Sequence, residues 1–150
     1  MAVEPSSDMI RVARSYAQSQ NLTDRISFIE GVVEDDAAIS SLGKFDLIYS
    51  TFSLHHWKEP STAIRNLYHA LKEDGVILIF DFKRHWFTYY LSIRKGLKES
   101  IRASYTPGEL IATLTLLQIQ NYHVQTIFPY LSVLLWKSMS VINLSNSDRL

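Results

Sequence analysis

The regular alternation of strand-like and helix-like segments is the feature that most constrains the fold of this chain. Short apolar runs, such as residues 45–50 and 76–80, alternate with stretches in which apolar residues recur every three or four positions, such as residues 60–71. Turn or capping residues separate the segments. This order is typical of a parallel sheet covered by helices, so the sequence predicts the α/β class. Residues 45–50 are apolar on both faces apart from Asp46, which predicts a central strand.

The same signals set the boundaries of the elements. The helix that begins at Pro60 is expected to end at Asp74-Gly75, in the manner of a C-cap. Residues 106–109 have the spacing of a capping box, with proline at the first helical position. The last two strands are expected to be antiparallel because only Pro129-Tyr130 separates them. The predicted strands lie at residues 1–4, 26–30, 45–50, 76–80, 122–128 and 131–136, and the predicted helices at 8–20, 60–74 and 106–120, with a polar connection at 34–42.

Composition excludes several classes of function. A chain of 150 residues is one domain by length, and its hydrophobic content of 47% suits a packed core. The 15 basic and 15 acidic residues cancel, so no overall field attracts nucleic acid. The absence of cysteine excludes disulfides, thiolate catalysis and zinc sites that use cysteine. No signal peptide and no membrane-spanning apolar run is present, which predicts a soluble, cytoplasmic protein.

Candidate functional residues follow the predicted strands, because ligands of open α/β sheets bind outside the carboxyl ends of the strands. Glu4 ends the first predicted strand, where a carboxylate can accept hydrogen bonds from a ribose; the alternative is an acid near a helix N-terminus. Hydroxyls and two imidazoles, His55 and His56, follow the third strand. One histidine is a candidate general base, with a packed structural role as the alternative. Neighbouring histidines on a helix or strand point in different directions, so we predict no metal site.

The segments AVEPSSDMI, ISFIEG, FDLIYSTFSLHHW and AIRNLYHALKEDGVILIFDF, in this order, resemble the class I S-adenosylmethionine-dependent methyltransferases with a generic methyltransferase domain. The resemblance covers roughly residues 1–82. It implies a Rossmann-like, mostly parallel sheet with helices on both faces, strand order 3-2-1-4-5-7-6 and a C-terminal antiparallel hairpin. It also implies methyl transfer from S-adenosylmethionine (SAM) to a small molecule.

The resemblance assigns cofactor contacts to particular residues. Glu4 is expected to bind the ribose hydroxyls of SAM, Pro5 to lie beside the adenine, and Ser50 to lie near the methionine end. Val32 and Val33 are the expected positions beside the adenine ring. Family members commonly have an acidic residue where this chain has Val32, so one adenine contact is expected to be lost, with Glu34 or Asp35 as the acids that remain nearby.

The first strand of the family and its glycine-rich turn are not present in the sequence, which contains no G-x-G element. In the implied strand order that strand lies between residues 1–4 and residues 45–50. Its loss leaves two interior edges with unpaired backbone groups, each costing about 1–3 kcal/mol when buried. Three resolutions are open: direct pairing across the gap, a strand donated by a partner chain or oligomer, and a sequence that is a fragment of a longer product, which is the simplest.

Residues 83–105 interrupt the alternation and are interpreted as a helical insertion on the substrate side of a single, partial methyltransferase domain spanning 1–150. Basic residues are frequent in 83–102, and the alternatives are a solvated helix face or a peripheral contact with anionic lipid or an acidic partner. Two rival functions remain. One is a non-catalytic protein of the same fold that has lost cofactor binding, and the other is a nicotinamide oxidoreductase, which also requires the absent glycine turn.

Overall fold

The computed structural model describes residues 1–85 and 95–138 of the chain. Strands and helices alternate through most of this part, as the sequence predicts. The strands are β1 (Ala2–Glu4), β2 (Phe28–Glu30), β3 (Phe45–Thr51), β4 (Leu71–Phe82), β5 (Tyr122–Ile127) and β6 (Tyr130–Trp136). The helices are α1 (Ser7–Ser19), α2 (Asp36–Ser41), α3 (Pro60–His69), α4 (Lys95–Ala103) and α5 (Pro107–Leu116), with a 3₁₀ turn at Leu54–His56.

The strands form two sheets. β1 and β2 make a parallel pair, and the other four strands make a second sheet in the order β3-β4-β6-β5. β3 and β4 are parallel, whereas β6 runs antiparallel to both β4 and β5. The antiparallel C-terminal hairpin is therefore confirmed. β1 to β6 correspond to strands 2 to 7 of the implied order. The order of strands within each sheet matches that order without its first strand, which confirms the α/β class.

β1 and β3 do not pair with each other, so direct pairing across the gap does not occur. The prediction that residues 45–50 form a central strand is wrong in this structure. Among the described residues, β3 hydrogen-bonds to β4 alone and lies at the edge of its sheet. The apolar side chains that led to the prediction are exposed on one face, where Leu47 is 60% and Tyr49 71% accessible. A strand with apolar residues on both faces suits the interior of a sheet. This pattern does not show whether a second strand is present to pair with it.

The helix that begins at Pro60 ends at His69 rather than at Asp74-Gly75. Residues 72–75 instead belong to β4. They form an irregularity in the pairing with β3, because these four residues lie opposite the single residue Asp46, between the Phe45–Leu71 and Leu47–Val76 pairs. Gly75 is needed there for space. A Cβ atom at Gly75 would lie 2.8 Å from Leu71 Cδ1 and 2.8 Å from the carbonyl oxygen of Phe45.

The core lies between one face of the four-stranded sheet and two helices. Ile64 and Leu67 of α3, and Leu110 and Leu114 of α5, pack on alternating residues of β4 and β6. Burial of this face stabilises the fold by roughly 1.5–3 kcal/mol for each large side chain removed from water. The buried sheet residues are Ile77, Ile79, Leu131, Val133 and Leu135.

The start of α5 forms as predicted. Thr106 Oγ1 accepts a hydrogen bond from the Glu109 backbone N–H, and Glu109 Oε2 accepts one from the Thr106 N–H. These two bonds make the capping box and satisfy backbone donors that have no partner within the helix. Of the helical insertion, α4 is described and contacts the 3₁₀ turn, whereas residues 86–94 and the polar tail from 139 lie outside the described residues. Within the described part, no helix combines the length and apolarity that a membrane span needs.

Candidate functional site

Glu4 ends β1, as predicted, and its carboxylate turns toward the start of α1. Glu4 Oε1 accepts a hydrogen bond of 3.0 Å from the Ser6 backbone N–H. Pro5 occupies the turn between these two residues. The carbonyl oxygen of Glu4 accepts a hydrogen bond from Gly31 N–H, so the ends of β1 and β2 are held together. The second carboxylate oxygen, Oε2, has no hydrogen-bond partner within residues 1–85 and 95–138.

The loop after β2 places Val32 and Val33 differently. Val32 is exposed, whereas Val33 packs against the core, and its carbonyl accepts a hydrogen bond from Asn66 Nδ2. The Val33 N–H donates to no group in the described part of the chain. The nearby acids are engaged elsewhere: Glu34 Oε1 accepts from Lys58 N–H, and Asp35 caps α2. Neither acid replaces the carboxylate that the family commonly has at the position of Val32.

His55 and Asp81 form a buried pair at the carboxyl ends of β3 and β4. His55 Nδ1 lies 2.7 Å from Asp81 Oδ1, and the two side chains are only 3% and 2% exposed. Asp81 Oδ2 also accepts a hydrogen bond of 3.2 Å from the His55 backbone N–H, so the carboxylate holds both the ring and the backbone of this residue. An ionised carboxylate only accepts hydrogen bonds, so it favours the tautomer of His55 with a proton on Nδ1. Nε2 of the neutral ring is then a proton acceptor.

His56 lies on the outside of the same 3₁₀ turn and is exposed. The centroids of the His55 and His56 rings lie 4.0 Å apart, closer than expected for neighbours on a helix or strand, because the segment is a tight 3₁₀ turn. Ser50 lies in β3 opposite Ile79 and is half-buried. Residues 1–85 and 95–138 contain no group of three or more His, Asp or Glu side chains placed to hold a metal ion.

The structure adds two features that the sequence analysis missed. The first is Asp81, which the sequence marks only as an acid near the end of an apolar strand. Because a buried carboxylate requires a hydrogen-bonding or charged partner, an acid in an apolar strand indicates that such a partner lies nearby. The second is Phe52, which immediately follows β3 with a left-handed backbone (φ 53°). The sequence offers no comparable signal for Phe52, because neither the turn nor the ring contacts follow from residue type.

The two described cavities lie away from these residues. They are lined by residues of α1, β2 and the connection between them, among them Arg14, Ser27 and Glu30. Neither cavity contacts Glu4 or His55. The candidate site is therefore an open edge formed by the strand ends rather than one of these cavities.

Comparison with known proteins agrees with this arrangement. Residues 1–79, slightly more than half of the chain, match the family described as "Methyltransferase domain". An uncharacterized methyltransferase of Bacillus subtilis, YcgJ, is 29% identical over 86 residues, which are 54% of this chain and 31% of that protein. A ubiquinone biosynthesis O-methyltransferase of Glaesserella parasuis is 32% identical over 94 residues, covering 61% of this chain and 39% of that protein. The matches therefore span about a third of these relatives.

Solved structures share the fold over nearly the whole chain. PigF, solved with SAH, superposes with a TM-score of 0.65 at 20% identity, covering 92% of this chain and 48% of PigF. The plantazolicin methyltransferase BamL, also solved with SAH, gives a TM-score of 0.69 at 18% identity, covering 91% of this chain and 67% of BamL. From the family match, the shared fold and the strand order together, the chain belongs to the methyltransferase domain family of class I SAM-dependent methyltransferases.

Proposed function

We propose that this chain binds SAM and transfers its methyl group to a small-molecule acceptor, with His55 accepting the proton that the acceptor loses. The buried His55–Asp81 pair is the observation that carries this proposal. It lies at the carboxyl ends of neighbouring parallel strands, which is where open α/β sheets bind their ligands. A structural histidine needs no carboxylate at its Nδ1, whereas a proton acceptor gains a fixed tautomer from one.

The groups that would hold SAM fit its chemistry in part. Glu4 has one carboxylate oxygen without a partner in the described chain and is the candidate acceptor for the ribose hydroxyls. The Val33 N–H, which has no acceptor among the described residues, is a candidate donor to an adenine ring nitrogen. Pro5 and Val32 would lie beside the adenine and Ser50 near the methionine end, as the family resemblance implies. When bound, SAM supplies a sulfonium methyl group that is open to displacement by a nucleophile.

The chain's own residues would then handle the acceptor and its proton. His55 takes the proton at Nε2 as the acceptor's oxygen or nitrogen attacks, and Asp81 stabilises the resulting imidazolium. His56 lies outside the pair and contacts no carboxylate of residues 1–85 or 95–138, so His55 is the better candidate for the catalytic base. α4 contacts the 3₁₀ turn that carries both histidines, which supports a substrate-side position for the insertion.

The second candidate function is that of a non-catalytic binding or scaffold protein of the same fold that has lost cofactor binding. It is favoured by Val32 in the position of the usual acid and by the other engagements of Glu34 and Asp35. Loss of one adenine contact weakens cofactor affinity without altering the fold. The two functions differ in whether the chain binds SAM at all.

Calorimetric titration of the purified chain with SAM separates these functions. If the proposal holds, heat saturates with micromolar ligand, and Glu4→Gln weakens binding about ten- to hundredfold because a charge-assisted hydrogen bond is lost. Glu73→Gln is the matched control, since Glu73 is 86% exposed and lies at the far end of β4. Absence of saturable heat in the wild-type chain would leave the non-catalytic function. Equal weakening by both substitutions would remove Glu4 from the cofactor site.

A further inference from the structure

We infer that the methyl acceptor is a planar aromatic molecule that packs on Phe52 beside His55. Phe52 belongs to a group of four rings, here called the aromatic shelf, made of Phe52, Phe80, Phe82 and Tyr130. This inference rests on the proposed function, because it names the substrate class of the same site. The binding step itself does not require SAM and can be tested alone.

The four rings contact one another from three segments of the fold. The Phe52 centroid lies 5.7 Å from that of Phe80, 5.0 Å from that of Phe82 and 5.8 Å from that of Tyr130. Phe80 and Phe82 alternate with the buried residues Ile79 and Asp81, so they project from the face of β4 opposite the core. These distances and tilted geometries are those of favourable aromatic pairs. The shelf is therefore an organised surface on the side of the sheet that the core helices do not cover.

Phe52 combines a left-handed backbone with a side chain that is still partly open to solvent. Its backbone has φ 53°, a region that is strained for a bulky side chain, and its side chain remains exposed. Its N–H continues the ladder of β3 by donating to the carbonyl oxygen of Phe80 at 2.8 Å. A strained backbone and an exposed large ring both cost free energy, and strained residues of this kind cluster at ligand sites. A ligand stacked on the ring would remove its exposed face from water and so offset part of this cost.

The shelf adjoins the proposed proton acceptor. The Phe82 and His55 ring centroids are 5.8 Å apart. The Phe82 N–H donates to Asp81 Oδ1 at 2.6 Å, so one carboxylate fixes both His55 and the start of the shelf. Phe82 therefore lies next to both Phe52 and His55, so an acceptor stacked on Phe52 would be near the histidine.

The chemistry of the shelf favours a flat, uncharged ligand. Its four side chains carry no charge, and the Tyr130 hydroxyl is their one polar group. Ring faces and edges attract other aromatic rings through their quadrupoles, an attraction that a saturated ring of the same size lacks. A phenol-like acceptor combines this stacking with a hydroxyl acidic enough to transfer its proton to histidine.

A matched pair of probes tests the inference without SAM. We would titrate the full chain with 2-naphthol and with decahydro-2-naphthol, which share a skeleton but differ in planarity, and follow amide NMR shifts. We expect 2-naphthol to bind roughly two- to tenfold more tightly and to shift the amides of Phe52, Phe82 and Tyr130. Equal affinity for the two probes, or shifts confined to other parts of the chain, would overturn the inference.

Variants of Phe52 distinguish ligand binding from a structural role. Phe52→Leu keeps an apolar side chain and is expected to lower 2-naphthol affinity roughly two- to tenfold. Phe52→Gly also removes the ring but relieves the left-handed backbone, so it keeps the test valid if the leucine variant folds poorly. Tyr16→Leu, at an exposed ring on α1, is the control and is expected to leave affinity unchanged. Unchanged affinity in both Phe52 variants would refute the inference. If 2-naphthol binds the shelf but SAM does not bind, the proposed methyl transfer fails and the aromatic site remains.

Discussion

His55 Nδ1 lies 2.7 Å from Asp81 Oδ1, although the two residues are 26 positions apart and belong to different strand ends. The parallel pairing of β3 with β4 brings them together, because it aligns the carboxyl ends of both strands. Both side chains are almost fully buried, so water competes little for either group. The pair therefore has a well-defined geometry, with one carboxylate oxygen on the imidazole and the other on the backbone of the same residue.

Asp81→Asn is expected to disturb the tautomer of His55. An asparagine amide can present either its oxygen or its NH₂ group to Nδ1, so it no longer fixes the proton there. We expect the ring ¹⁵N shifts of His55 to report the Nδ1–H form in the wild-type chain and a mixture in the variant. We also expect methyl transfer to fall about a hundredfold or more, the usual contribution of a positioned base. Asp46→Asn, at the exposed start of β3, is the control. A wild-type ring that carries its proton on Nε2 would rule out the assigned role.

Gly75→Ala is expected to destabilise the fold. The added Cβ would approach Leu71 Cδ1 and the Phe45 carbonyl oxygen at 2.8 Å, and the backbone contact cannot move aside cheaply. We expect a loss of about 1–3 kcal/mol in the free energy of unfolding, measured by urea denaturation. Gly108→Ala is the matched control, because a Cβ at this position in α5 meets nothing within 4 Å. It is expected to stabilise the chain by up to about 1 kcal/mol through helix propensity. The same sign for both substitutions would contradict this interpretation.

Glu109 gives the stability of the chain a defined dependence on pH. Burial acts to raise the pKa of Glu109, but hydrogen bonds from Thr106 and Arg84 outweigh it and hold that pKa below its ordinary range. A carboxylate whose pKa is depressed by folding stabilises the native state above its unfolded pKa of about 4.3. This contribution is lost as the pH falls through the lower, folded pKa.

Glu109→Gln is therefore expected to flatten the decline of the free energy of unfolding below about pH 4.3. At neutral pH the variant is expected to lose about 0.5–1 kcal/mol, because the capping box and the contact with Arg84 are weakened. Thr106→Ala is the companion variant and is expected to lose about 1 kcal/mol at neutral pH through the missing cap. Urea denaturation between pH 3 and pH 7 measures both effects. An acid slope in Glu109→Gln as steep as in the wild type would show that another group causes the decline.

The sequence predicts those features that follow from local chemistry. The capping box at Thr106–Glu109, the helix after Pro5 and the antiparallel hairpin around Pro129 depend on residues close together in the chain, and all three are present. Contacts between residues far apart in the chain are harder to predict from the sequence. Asp74-Gly75 has the composition of a helix end, but close approach to the Phe45 backbone, not capping, requires the glycine.

The candidate site likewise has residues whose positions the sequence predicts and contacts that it does not predict. The positions of Glu4 and His55 follow from the rule that strand ends carry ligands, and the structure places both at strand ends. The partner of His55 and the ring contacts of Phe52 depend on strand register, which a single sequence does not encode locally. The cofactor contacts assigned to Glu4, Pro5, Val32, Val33 and Ser50 stay predictions.

Self-association through the open edge of β3 is the final expectation. Beyond its pairing with β4, the strand has backbone groups with no partner in the described part of the chain, and Leu47 and Tyr49 expose apolar surface along it. Such edges pair with other strands unless a charge or a bulge blocks them. We expect the sedimentation coefficient of the chain to rise with protein concentration and Tyr49→Lys to suppress that rise. Tyr16→Lys, on the exposed face of α1, is the control, because it removes a comparable exposed ring without touching a strand edge. Suppression by Tyr16→Lys alone would assign association to the helix, and a concentration-independent coefficient would show that the edge does not associate.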